Sequence, residues 1–125
     1  MCAQYELIAE TCNGKVYEVK QTMNDGSIKV KYQIDFGNIL MTLYEQSMVF
    51  LKKFVISVFE QGIEQAKVYP SNKVLIHPKG FVGYYALTED ELLEMRDLLT
   101  TSLDCIEIDR EIKRLFEKDN IGFDL

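Results

Sequence analysis

The chain has 125 residues, 47% of them hydrophobic and 27% charged, with a formal net charge of −6. That length supports one core without covalent staples, and that balance is the composition of a globular protein rather than a disordered one. The surplus of acid argues against nucleic acid and against an anionic membrane surface as partners, because both require a basic footprint.

At the N-terminus, "MCAQYELIAE" has neither the basic flank nor the apolar block of a signal peptide. No stretch of the chain approaches the ~20 apolar residues that span a bilayer, so a cytoplasmic location is expected. "YELIAETCNGKVYEVK" (5–20) reads as a β-hairpin whose Asn13-Gly14 pair favours a two-residue turn with positive φ at both positions. "MNDGS" (23–27) is a second turn. "IKVKYQIDF" (28–36) alternates throughout, with Ile28, Val30, Tyr32, Ile34 and Phe36 facing a core and Lys29, Lys31, Gln33 and Asp35 facing water. Gly37-Asn38 permits a turn and "ILMTL" (39–43) returns as the partner strand.

From Tyr44 the period changes to three and four. Met48, Leu51, Val55, Val58 and Phe59 form one stripe, and Gly62 is placed to end the helix. "KVYPSN" (67–72) is a linker, "KVLIH" (73–77) a short strand, "PKG" (78–80) a turn and "FVGYYAL" (81–87) a strand. Thr88 and Glu91 make a capping box for a helix striped with Leu92, Met95, Leu99 and Leu103. "DREIKRLFEKD" (109–119) is a last helix with Ile112, Leu115 and Phe116 on one face.

The order hairpin–helix thus occurs twice, over 28–62 and 73–103. Aligning Leu43 with Leu87 also aligns Glu45 with Glu89, Met48 with Leu92, Leu51 with Met95 and Val55 with Leu99. The expected fold is α+β: an antiparallel sheet with helices on one face, built as an N-terminal hairpin and two ββα units in a single domain, 1–125. A duplication and two unrelated amphipathic units share this pattern equally well.

"NGKVYEV", "IDFGNILMTL" and "YYALTEDELLEMRDLL" resemble an uncharacterised family of small cytosolic proteins from Bacteroidetes-type bacteria, known mainly as a domain of unknown function. Such relatives often carry a paired-cysteine knuckle between the first hairpin and the FGN strand. Here that region has Val19, Thr22 and Met23 and no cysteine, so no metal role carries over. The resemblance implies neither an activity nor catalytic residues.

The residues themselves offer little chemistry. Cys2, Cys12 and Cys105 are odd in number and contain no CxxC, as expected of reduced thiols; a Cys2–Cys12 link is the alternative. With one histidine and no HExxH, GxGxxG or P-loop, no metal, cofactor or catalytic set is assigned. Glu89, Asp90, Glu91 and Glu94 read as acids complementing a helix N-terminus and a solvated face. Two functional classes follow. In the first, the protein is a non-catalytic interaction or self-associating domain, homodimeric through Val49, Phe50 and Ile56, a second apolar face on the first helix. Burial of that face under the last helix explains it equally well. In the second, a small-molecule-binding protein or enzyme has a pocket between the two ββα units, where His77, Lys79 and Tyr84 or Tyr85 converge. Nucleic-acid binding would instead need Lys29, Lys31, Lys52 and Lys53 on one face.

Overall fold

The first four strands form one antiparallel meander: β1 (Ala3–Glu10), β2 (Gly14–Thr22), β3 (Ile28–Phe36) and β4 (Ile39–Leu43), in that order across the sheet. This is a computed structural model, and it describes residues 2–81 and 83–123. The perfect alternation of β3 sets the register. Ile34 pairs with Val16 on one side and Met41 on the other, and Val16 pairs with Ala9, so one row of buried apolar side chains crosses all four strands. A bulge between Leu7 and Ala9 brings Ala9 to the core face, while Tyr5 and Leu7 stay on the open face opposite Val19 and Tyr17.

Two long helices cover the core face. Helix α1 (Glu45–Gln61) buries Met48, Leu51 and Val55 and ends at Gly62, whose φ of 105° suits a residue without a Cβ. A short helix, α2 (Ile63–Ala66), leads into β5 (Lys67–Val68), β6 (Lys73–Ile76) and β7 (Tyr85–Leu87), and then α3 runs from Glu89 to Phe123. Leu92, Met95, Leu98, Leu99 and Ile106 of α3 join Val74, Ile76 and Leu87 and the sheet residues in one hydrophobic cluster. The long helices run antiparallel: Arg110 of α3 pairs with Glu45 at the start of α1, and Arg96 lies 5.4 Å from the ring centre of Phe59 near its end.

The α+β architecture with an antiparallel sheet is as expected, but four details are corrected. The strands of the second unit do not extend the first sheet. They form a separate three-stranded sheet, β5-β6-β7, because Lys67 and Val68, from the stretch read as a linker, pair with the edge of β6. Of the strand expected over 81–87, Tyr85–Leu87 forms one, Phe81, Gly83 (φ 81°) and Tyr84 do not, and Val82 lies outside the described residues. The two helices expected at 88–103 and 109–119 are one helix of 35 residues. No glycine or proline interrupts 88–121, and the hydroxyl of buried Ser102 donates to the Leu98 carbonyl at 2.7 Å, so nothing breaks the run. Finally, neither Asn13 nor Gly14 takes positive φ. Gly14 begins β2 for a different reason: a Cβ there would sit 2.7 Å from both Leu98 Cδ2 and Phe36 Cδ2.

Candidate functional site

The turn between β1 and β2 is tied to α3 rather than held by its own backbone geometry. Glu94 accepts hydrogen bonds from the Thr11 hydroxyl at 2.6 Å, the Asn13 amide at 2.7 Å and the Asn13 side-chain nitrogen at 2.8 Å. The Thr11 bond is the largest of the effects that hold this carboxyl below the usual range, with the two Asn13 bonds acting in the same sense. Its sequence context predicts an acid that complements the helix N-terminus or a solvated face, whereas the structure makes Glu94 a clamp. The start of α3 is capped as its sequence predicts, with the Thr88 hydroxyl accepting from the Glu91 amide at 3.1 Å and the Glu91 carboxylate accepting from the Thr88 amide at 2.9 Å.

Beyond Ile106 the helix carries two different faces. Toward the sheet, Asp109, Arg110 and Lys113 join Lys20, Tyr32 and Glu45 in lining a groove of about 480 Å³. Each groove cation meets a carboxylate: Lys20 with Glu18 at 3.5 Å, Arg110 with Glu45 at 2.5 Å, Lys113 with Asp109 at 3.0 Å and Arg114 with Glu111 at 2.6 Å. Among the described residues the groove's charges are matched, with no surplus of either sign for a ligand. Burial first, and Glu18 second, push the Tyr32 phenol up to about 12.

The opposite face of the same segment is apolar and open. Ile108, Ile112, Leu115 and Phe116 are 60%, 58%, 59% and 66% exposed. At ~100° per residue these four positions fall on one side of the helix, roughly half a turn from Ile106. The sequence showed three of them sharing a face. What it did not show is that α3 continues unbroken, which adds Ile108 and turns that face away from the body.

The residues singled out beforehand are dispersed. On α1, Val49 and Ile56 are half-buried, and Phe50 is exposed at 42%. Phe50 shares a surface hollow of about 260 Å³ with Leu43, Ser47, Lys79, Gly80 and Phe81, between the first hairpin–helix unit and the β6–β7 loop. His77 lies elsewhere on that loop. Its ring stacks on Tyr84 with centroids 4.4 Å apart, and its Nδ1 is 2.6 Å from the Gly83 carbonyl, both rings being exposed. Tyr85, the first residue of β7, is half-buried against the core, whereas Tyr84 before it is exposed. Of the four candidate pocket residues, His77 and Tyr84 thus meet, while Lys79 lines the hollow beside Phe50 and Tyr85 packs on the core. Lys29 and Lys31 stand on the open face of the sheet, whereas Lys52 and Lys53 ride on α1 over the other, so the basic footprint is divided.

Among the described residues, no group of three or more His, Cys, Asp or Glu side chains is placed to hold a metal ion. Cys2, Cys12 and Cys105 are free thiols. No helix among the described residues is long and apolar enough to cross a membrane. A family of unknown function, DUF6686, matches residues 1–113, which takes in all seven strands, α1, α2 and most of α3. The chain belongs to that family. No curated protein and no solved structure matches it. Within this DUF6686 chain the matched span includes the Glu94 clamp, the capping box and the first half of the exposed stripe, Ile108 and Ile112.

Proposed function

We propose that this protein is a non-catalytic interaction domain that self-associates. The observation that carries the reading is the outward stripe of Ile108, Ile112, Leu115 and Phe116, four large apolar side chains more than half exposed on one side of a helix whose other side meets the sheet. Contiguous apolar surface of this kind is costly to leave in water and marks an association site. The net charge of −6 and the divided lysines make nucleic acid and anionic membranes poor partners. A cytoplasmic location accords with three free thiols.

A second reading rests on the hollow formed by Phe50, Phe81 and Lys79, which has aromatic walls and one cation for a small anionic ligand. Native mass spectrometry of untagged protein separates the two. Self-association predicts a bare dimer, whereas a monomer carrying a small additional mass would overturn it in favour of the hollow.

A further inference from the structure

We infer that the partner covering the α3 stripe is a second copy of this chain, with the two helices laid antiparallel; the inference rests on the self-association reading above. Cys105, Ile108, Ile112 and Leu115 follow one another at intervals of three, four and three, the a/d repeat of a two-helix seam. A seam this narrow is self-complementary, which is what a two-fold pair needs, since the same patch serves both copies. Its position also permits pairing without opening the fold, because the stripe lies on the far side of α3 from Ile106, Arg110 and Lys113.

Area and charge give the partner and its direction. The four exposed side chains present on the order of 500 Å² per copy, so two copies face to face cover roughly 1,000 Å², the lower bound for a specific interface and the range of a reversible one. In a parallel, in-register pair the flanking residue Asp104 of each copy meets Asp109 of the other, and the two-fold repeats that repulsion. An antiparallel pair with Ile112 of one copy against Leu115 of the other faces each flank of the stripe with its own equivalent, which places Asp109 beside Phe116 instead and separates these acids.

The test is sedimentation equilibrium of the full chain with Ile112→Glu and, as a second variant, Leu115→Glu, each checked by thermal melting against the unaltered protein. Both sites are more than half exposed, so melting should hold, while a charge placed in the seam should weaken dimerisation by at least about tenfold. Phe50→Glu, on α1, should leave the dimer intact. A dimer that survives Ile112→Glu and Leu115→Glu overturns this inference but not self-association, and directs attention to the Tyr5–Leu7 face of the sheet or to Phe50. An unaltered chain that never dimerises refutes self-association itself. Direction is read by cysteine pairing after Cys2, Cys12 and Cys105 are changed to alanine. Mixed Ile112→Cys and Leu115→Cys chains should form a mixed disulfide under mild oxidation. Efficient linkage of Ile112→Cys chains to each other would instead mean a parallel pair.

Discussion

Removing the Glu94 carboxylate should loosen the turn between β1 and β2 and lower global stability. Three donors from Thr11 and Asn13 converge on it within 2.6 to 2.8 Å, and a hydrogen bond to a charged group is worth ~1.5–3 kcal/mol when shielded from water. Asn13 is exposed and Thr11 half-buried, so solvent competes for most of this, and Glu94→Ala should cost about 2 kcal/mol. Glu94→Gln should cost less, since one amide oxygen still accepts while the amide nitrogen faces donors. Urea denaturation followed by circular dichroism measures this as a lower midpoint with an unchanged slope. A second readout is pH. Because the folded carboxyl is held below its unfolded value, the unfolded chain binds the extra proton. The stabilisation is therefore present above pH ~4.3 and lost as pH falls through the folded value. That component of the acid dependence should be missing from Glu94→Gln. A double-mutant cycle with Thr11→Ala should show coupling of at least ~0.5 kcal/mol. Additive losses, or a loss below ~0.5 kcal/mol in Glu94→Ala, would refute the clamp.

Three further outcomes follow from local geometry. Gly14→Ala should destabilise by about 2 kcal/mol in the same urea assay, because its Cβ meets Leu98 and Phe36 side chains that are fully buried and cannot move aside. Thr88→Ala should cost about 1 kcal/mol through loss of the reciprocal cap, and an unchanged midpoint would mean that Glu91 alone holds the helix start. In an ultraviolet titration Tyr32 should be among the last tyrosines to ionise, near pH 12. The folded state keeps its phenolic proton where the unfolded chain has lost it, so stability should fall as pH rises above ~10, and Tyr32→Phe should remove that component.

Much of the fold is legible because its signals are local. The strand 28–36, the return strand 39–43, the α1 stripe and the Thr88–Glu91 box each occur where their residues predict, although only Tyr32, Ile34 and Phe36 of the five apolar positions in 28–36 are buried, Ile28 and Val30 being exposed. What escaped is set by distant partners. Asn13-Gly14 carries the letters of a hairpin turn, yet Gly14 is required by the approach of Leu98 and Phe36, and Asn13 answers to Glu94 across the fold. Two hairpins with similar patterns do not say which edge each will pair with, so the division into two sheets is invisible to periodicity. The same holds for the site. Phe50 and Ile112 both read as apolar residues on helices, and only the path of α3 shows that the second belongs to a continuous stripe turned away from the sheet.

Self-association is the central claim, and sedimentation velocity of the untagged chain over a concentration series tests it most directly. The account predicts a reversible shift from monomer to dimer as concentration rises, with no larger species, since an isologous pair closes on itself. A single monomer boundary throughout would contradict it.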